Sequence, residues 1–216
     1  KNIITYLLPT CYTMPMAKIV THINPHLDEI AAVWLIKKFM SGWKNPEIEF
    51  ISADKGNNGL AEEEDIIYLG VGKGKYDEHK GDLEECAASL LWKDLRDGIE
   101  NEEELQALDE LIDFVRLDDT GKLKDLSYSE FYISGFIRAG KGEEDSRKNI
   151  ELGYSILERV LGALITKQKA KKEWQKAILF ETKWGKGYAI SGSYVNRGFC
   201  DIQDGVLYLM HDPKYN

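Results

Sequence analysis

The sequence has no long hydrophobic run and contains little cysteine or histidine. No apolar segment of this 216-residue chain approaches the roughly 20 residues that span a bilayer, so we expect a soluble protein with no membrane partner. The 3 cysteines are widely separated and form no CxxC pair, which excludes a cysteine zinc motif or a dithiol redox site. Residues 1–15 lack the charged start, long apolar centre and cleavage site of a secretion signal. We therefore expect reduced thiols and a cytoplasmic location.

The balance of charge limits the classes of partner. A net charge of -9 at pH 7 argues against a protein that coats nucleic acid. The charge is uneven, because residues 62–119 are strongly acidic and residues 159–197 are basic. In one interpretation, one region repels anions while the other receives them. In the other, both regions are solvated helix faces of opposite sign.

Hydrophobic patterns predict alternating strands and helices. Short apolar or alternating runs indicate strands at 17–23, 47–52 and 66–72. Apolar residues at helical spacing indicate helices at 29–40, 83–95, 105–115 and 126–139, then a long helix from 144 to about 176. Glycine-rich turns separate three further strand-like segments after that helix. We predict an α/β fold with helices flanking a layered, largely parallel sheet, then a connector helix and a small C-terminal β-rich domain.

This pattern divides the chain into four parts. Residues 1–15 are a candidate N-terminal extension, because Met16 opens the segment that leads into the first predicted strand. We assign residues 16–125 to the main α/β domain and residues 126–173 to a helical connector. Residues 174–216 form the predicted C-terminal domain, of α/β or β type.

Two short motifs bring histidine and carboxylate together at predicted strand ends. The first is THINPHLDE, residues 21–29, with His22, His26 and Asp28 directly before an apolar helix. The second is KGKYDEHKGD, residues 73–82, with Asp77, Glu78 and His79. Ligands of open α/β sheets gather beyond the carboxyl ends of the strands, so we expect the two motifs to converge. Taken alone, His22 is equally well explained as a hydrogen-bonded core histidine.

A third acidic pair lies in RLDDTGKL, residues 116–123, where Asp118 and Asp119 end a predicted helix. Alone, this pair is best explained as a helix C-terminal turn that Gly121 stops. Together with the first two motifs, it becomes a candidate third side of one site.

These residue types fit a divalent cation. Carboxylates packed together repel one another unless a cation is present. Neutral imidazole with carboxylate suits manganese or zinc, whereas magnesium and calcium more often take oxygen ligands alone. Such an ion lowers the pKa of a coordinated water and supplies a nucleophile near neutral pH. We predict a divalent metal centre that holds manganese or zinc.

The C-terminal part offers two weaker candidates. In ISGSYVNRG, residues 190–198, Asn196 and Arg197 have the chemistry to bind a phosphate, although a surface turn is the simpler explanation. The run TKQKAKKEWQK, residues 166–176, places Trp174 among lysines. It could line a channel for a single strand, or it could be one exposed face of the connector helix.

The segment HINPHLDEIAA, residues 22–32, resembles the first motif of the DHH phosphoesterases, usually HxNPDxDA, found in RecJ-type exonucleases and small oligoribonucleases. With DE in this motif and a later YDHH-like element, it is most similar to the MYG-type branch of metal-dependent hydrolases and exonucleases. The resemblance covers residues 18 to about 123. It implies a DHH-like domain, a connecting helix, a smaller C-terminal domain, and a manganese-dependent site in the cleft between the domains.

The resemblance also implies roles for particular residues. His22, His26 and Asp28 match the metal ligands of the first motif. Asp77, Glu78 and His79 match the DHH triplet, with glutamate in place of its first histidine. The later acidic ligand of the family falls on Asp118 or Asp119.

One position departs from the family pattern. The family ends the strand of its second motif with an aspartate that bridges two metals, whereas Gly70 stands here. Either the site is rearranged or holds one metal, with Asp77 or Glu78 supplying the missing oxygen, or the fold is kept without hydrolysis.

The sequence therefore predicts a phosphoester hydrolase that uses metal-activated water. Expected partners are a phosphoester substrate, in one form a single-stranded oligonucleotide, and a second copy of the chain in a homodimer. His22, His26, Asp28 and His79 are the leading ligands, and Asp77 or Glu78 completes the site or accepts a proton. The alternatives are a non-catalytic metal- or nucleotide-binding module and a purely structural ion.

Overall fold

The computed structural model describes residues 17–53, 63–81, 84–123, 132–137 and 140–215. The predicted N-terminal extension, residues 1–15, lies outside the described residues. The first unit contains β1 (Lys18–His22), α1 (Leu27–Phe39), β2 (Glu47–Ile51), β3 (Ile66–Tyr68), α2 (Ala87–Leu95) and α3 (Glu102–Asp119). Then follow α4 (Ile133–Ile137), α5 (Glu143–Trp174), β4 (Ile178–Thr182), β5 (Gly185–Ser191), α6 (Arg197–Cys200) and β6 (Leu207–His211).

The first sheet is parallel and has the order β2-β1-β3. β1 is the central strand, with Lys18 opposite both Glu47 and Ile66. Because the three strands run in one direction, their carboxyl ends meet at one edge of the sheet. His22 is the last residue of the central strand and therefore lies at that edge.

The core is built around α1, which is buried on every face from Leu27 to Ile36. This helix contacts α2, α3, α4 and α5. Its apolar side chains join one cluster with Ile19 of β1 and Leu69 after β3. A helix that is hydrophobic all round is stable only when neighbours cover all of its faces.

The connector helix α5 is 32 residues long, which corresponds to about 48 Å. Near its start, Ser146 Oγ accepts a hydrogen bond from the backbone N–H of Asn24 at 2.8 Å. Near its end, the carboxylate of Glu173 accepts the backbone N–H groups of Ser193, Tyr194 and Val195 at 2.9–3.0 Å. α5 therefore joins the first-motif loop at one end to the C-terminal unit at the other.

The C-terminal unit is a three-stranded mixed sheet of order β4-β5-β6. β4 and β5 form an antiparallel hairpin, and β6 pairs parallel to β5 after the short helix α6. Trp174, at the end of α5, packs against the rings of Tyr188, Phe199 and Tyr208. This aromatic contact fixes the unit to the connector helix.

The acidic and basic regions of the sequence meet on the surface where α5 packs against α3. Lys167 and Lys171 of α5 pair with Glu110 of α3, and Lys172 pairs with Glu103 at 2.9 Å. Exposed pairs of this kind each contribute at most about 1 kcal/mol to the free energy of unfolding, but together they hold α5 against α3. Lysines of the run at 166–176 thus pack on α3, and Trp174 is held by the aromatic contact. The run therefore offers little support for a single-strand channel.

The α/β class and the parallel sheet are confirmed. The strand predicted at 66–72 ends at Tyr68, because Gly70, Gly72 and Lys73 take positive φ values of 62°, 77° and 54° and turn the chain. Of the helix predicted at 126–139, the described part is Ile133–Ile137. Among the helices that the structure describes, none is long and apolar enough to cross a membrane.

Two glycines of α5 give a matched test of the packing between α1 and α5. A β-carbon on Gly153 would overlap Cγ2 of Ile30 in α1, whereas one on Gly162 meets no atom within 4 Å. We expect Gly162→Ala to raise the free energy of unfolding by about 0.5–1 kcal/mol, because alanine favours helix. Gly153→Ala should lower it, because overpacking costs about 1–3 kcal/mol and exceeds that gain. Urea denaturation of both variants measures the difference, and equal stabilisation by both would contradict this close helix contact.

Candidate metal centre

A cavity of about 810 Å³ opens at the carboxyl edge of the parallel sheet. Its floor comes from the residues that follow the strands, with His22 ending β1, Ala53 after β2 and Gly70 after β3. The first motif, the His79 loop and the end of α3 supply its ionisable side chains, which include His22, His26, Glu29, Glu78, His79 and Asp119. The three separate sequence motifs therefore line one cavity, which the strand-end argument predicts for the first two.

The first motif forms a tight loop between β1 and α1. Nε2 of His22 lies 3.1 Å from Oε1 of Glu29, and its Nδ1 lies 2.9 Å from the carbonyl oxygen of Ile23. Asn24 adopts a left-handed φ of 60° and accepts the backbone N–H of Gly142 through its Oδ1 at 2.7 Å. These contacts set the orientation of the His22 ring. The His26 ring meets it edge-on, with 5.2 Å between the ring centroids.

Two carboxylates of the first turn of α1 are buried. Asp28 is 1% exposed and Glu29 is 2% exposed. Oδ2 of Asp28 accepts the backbone N–H of Ala87 at 3.2 Å, but its Oδ1 has no hydrogen-bond partner among the described residues. A buried polar oxygen without a partner carries a cost of about 1–3 kcal/mol or more. A proton or a cation removes that cost.

The pKa values of Asp28 and Glu29 are shifted in opposite directions. Burial raises the pKa of Asp28 well above its usual value, and the negative charges of Glu29 and Asp119 raise it further. Burial also opposes ionisation of Glu29, but the hydrogen bond and charge of His22 outweigh burial and lower the pKa of Glu29 to about 2. Burial would lower the pKa of His22, yet the hydrogen bond to Glu29 raises it to about 9. Of the two carboxyl groups, Asp28 is therefore the more readily protonated, and a hydrogen bond to Glu29 also raises its pKa.

The His79 loop is fixed by Asp77. This carboxylate is 4% exposed and accepts the backbone N–H of Lys73 at 2.7 Å and that of His79 at 3.1 Å. Its Oδ1 also lies 2.9 Å from Nδ1 of His79. With its oxygens taken up by the loop, Asp77 orients His79 in the way that carboxylates support ligand histidines.

Glu78, the neighbour of Asp77 in this loop, lines the cavity. Its Oε2 is buried and has no hydrogen-bond partner among the described residues. Burial raises the pKa of Glu78 to about 7, and the negative charge of Glu29 contributes to the rise. Glu78 is therefore a second carboxylate whose surroundings would be stabilised by a cation.

The third motif separates into two roles. Asp119 lines the cavity, where burial and the charge of Glu29 raise its pKa. Asp118 instead accepts a hydrogen bond from Ser134 Oγ at 3.2 Å and is absent from the cavity lining. Adjacent residues of a helix point about 100° apart, so only one of them can face the site.

Four groups of side chains in the described part of the chain could each hold a cation. In each group, ligand atoms from three residues lie within 4.8 Å of one another. The groups are His22, His26 and Glu29; His26, Asp28 and Asp119; Asp77, Glu78 and His79; and Asp28, Glu29 and Glu78. Because His26, Asp28, Glu29 and Glu78 recur, these groups form one continuous cluster.

Glu29 is the member that sequence reasoning does not select. It follows Asp28 directly, and acids in the first turn of a helix are common because they interact favourably with the helix dipole. A signal for its role is the glycine at position 70, since a β-carbon there would overlap Oε1 of Glu29.

The predicted phosphate-binding pair lies elsewhere. Asn196 caps α6, accepting the backbone N–H of Phe199 at 3.0 Å, and the Arg197 side chain is 91% exposed. Asn196 borders a smaller cavity against α5 residues 163–170, about 25–36 Å along the helix from Ser146. Within the described residues, the metal-centre cavity is lined only by residues of the first unit.

No protein-family model matches the chain, and neither a curated protein nor a solved structure matches it significantly. Only the arrangement of these side chains and the pattern of the first motif bear on what the cavity binds.

Proposed function

We propose that the chain is a metal-dependent phosphoester hydrolase whose site is the cavity at the carboxyl edge of the parallel sheet. The observation that carries the proposal is Oδ1 of Asp28, a buried oxygen without a partner beside three further carboxylates. A divalent cation is the simplest group that satisfies such a cluster. The DHH-like layering of the first unit belongs to this proposal, because it comes from the resemblance of the first motif.

The donor set favours Mn²⁺ or Zn²⁺. Three imidazoles and several carboxylates line the cavity, a mixture that borderline ions accept better than Mg²⁺ or Ca²⁺. When bound, such an ion acidifies a coordinated water and neutralises charge on a phosphoryl group. The donors available to bound cations include His22, His26 and Asp28 of the first motif, Asp119 of α3 and His79 of the opposite loop.

The residues of the chain have distinct tasks in this proposal. The backbone carbonyl of Ile23 contacts Nδ1 of His22 and fixes the ring so that Nε2 faces Glu29. Asp77 is a positioning residue, because its contacts orient His79 rather than reach the cavity. Glu78 either completes the donor set or accepts a proton from water, as its unpartnered Oε2 is free to do.

The size and charge of the cavity limit the substrate. A volume of about 810 Å³ accommodates a nucleotide or the end of a short oligonucleotide. No lysine or arginine is found among the described residues that line it. The positive charge that a phosphate needs would therefore come from bound cations.

That same lack of basic residues in the described lining favours a second candidate, a non-catalytic metal- or nucleotide-binding module. Arg197 lies in the C-terminal unit at the far end of α5, and none of the described residues of that unit lines the cavity. Turnover distinguishes the two functions.

Asp28→Asn tests the metal centre through binding. In the wild type, Mn²⁺ at 100 times its dissociation constant should stabilise the metal-stripped protein by about 2.7 kcal/mol, or about 5–10 °C for a chain of this size. The variant should lose this shift, yet be slightly more stable without metal, because a neutral amide replaces a buried carboxylate. Calorimetric titration and thermal unfolding measure both effects, and wild-type Mn²⁺ affinity in the variant would remove Asp28 from the site.

Hydrolysis is tested with a chromogenic phosphodiester and a short single-stranded oligonucleotide, each with Mn²⁺, Zn²⁺ or Mg²⁺. We expect Mn²⁺-dependent turnover that Asp28→Asn lowers by at least about 100-fold, as loss of a ligand exceeds the loss of an indirect partner. Asp97→Asn, the same change at an exposed position after α2, is the control and should keep full activity. Stabilisation by a nucleotide without turnover under any of these ions would favour the binding module.

A further inference from the structure

The carboxylate of Glu29 lies between the ring of His22 and the turn after β3. It projects from the first turn of α1, where most side chains are part of the apolar core. Its Oε1 faces Nε2 of His22 at 3.1 Å, and its Oε2 accepts the backbone N–H of His26 at 2.6 Å. The carboxylate is thus fixed at both oxygens, although it is 2% exposed.

Gly70 makes room for this carboxylate. A β-carbon on Gly70 would overlap Oε1 of Glu29 and lie 3.1 Å from its Cγ and Cδ. A side chain at position 70 and the carboxylate of Glu29 therefore compete for one space. The carboxylate of Glu29, which comes from α1, therefore lies where an acidic side chain at position 70 would begin.

Glu29 also connects two of the candidate donor groups. It belongs to the group with His22 and His26, and to the group with Asp28 and Glu78. A carboxylate has two oxygens and can bind one cation with each. Asp28 and Glu78 of the second group each have a buried oxygen without a hydrogen-bond partner among the described residues, so the need for a cation is greatest on that side.

We propose that Glu29 is the bridging ligand of a two-cation centre. One cation binds Glu29 with His22 and His26. The second binds Glu29 with Asp28 and Glu78. This inference rests on the proposed metal-dependent function and assigns Glu29 the role left open by the glycine at the end of β3.

The competing explanation is a structural one, in which Asp28 and Glu29 share a proton and no second cation binds. Both explanations keep Glu29 buried and both require Gly70. They differ in the number of cations that the protein binds and in the distance between them.

The deciding experiment is titration of the metal-stripped full chain with Mn²⁺, followed by calorimetry and by electron paramagnetic resonance. We expect two Mn²⁺ per chain with a spin-coupled signal, because ions that share a carboxylate lie about 4 Å apart. Glu29→Gln should lose the coupled signal and weaken the second ion by at least about 10- to 100-fold. Circular dichroism should show that this variant keeps the fold, since glutamine retains the shape of the side chain.

A swap of the carboxylate between the two positions supplies the strongest test. Glu29→Ala should bind at most one ion, and the double variant Glu29→Ala/Gly70→Asp should regain the second ion and the coupled signal. Aspartate is among the residues that tolerate the φ of 62° at this position. Glu85→Gln is the control, because Glu85 faces the same cavity but pairs with Lys93 at 2.6 Å and belongs to none of the donor groups.

The outcomes separate this inference from the proposed function. No Mn²⁺ binding by the wild type would overturn both. One ion per chain, or two coupled ions retained in Glu29→Gln, would overturn the bridging role and leave the metal centre standing. Failure of the double variant to exceed Glu29→Ala, when both variants are folded, would also overturn it.

Discussion

The burial of two carboxylates at the start of α1 is the constraint on which the site depends. α1 is covered on all faces, so its first turn cannot leave Asp28 and Glu29 in water. Each charge therefore needs a partner inside the protein. Glu29 finds one in His22 and in the free N–H groups of the helix start, where the helix dipole also favours negative charge. Among the described residues, Asp28 accepts a hydrogen bond only from the N–H of Ala87, and the proposed metal centre rests on this incomplete satisfaction.

The rest of the fold brings the other groups to this point. The parallel sheet places the ends of β1 and β3 side by side, so the first motif and the His79 loop meet although about 50 residues of sequence separate them. α3 approaches with its C-terminal end and contributes Asp119. α5 fixes the first-motif loop through Asn24, Gly142 and Ser146. The lysines of α5 pair with the acids of α3, so the uneven charge of the chain supports the packing of these two helices.

Much of the fold and part of the site follow from the sequence, because they depend on local patterns. Strand and helix periods fix the element order, and the strand-end rule brings His22 and His79 together. Asp118 and Asp119 are equivalent in sequence, and only the rotation of α3 decides between them. Asn196 and Arg197 lie away from the cavity, and the sequence does not show this for a different reason. Their distance from the cavity depends on where the C-terminal unit attaches along α5, and no local pattern encodes that position.

The glycine at the end of β3 shows why a missing carboxylate does not mean a missing site. In sequence, Gly70 is only a loss, because the aspartate expected from the resemblance is absent. In space, the same position is filled by the side chain of Glu29, which could not lie there if residue 70 had a β-carbon. A structural acid would gain nothing from being set beside two other carboxylates, since each raises the cost of ionising the next. The repulsion among Asp28, Glu29 and Glu78 is reduced by the charge of His22 and by protonation of the carboxyl groups, and in the proposed metal centre a bound cation would reduce it further.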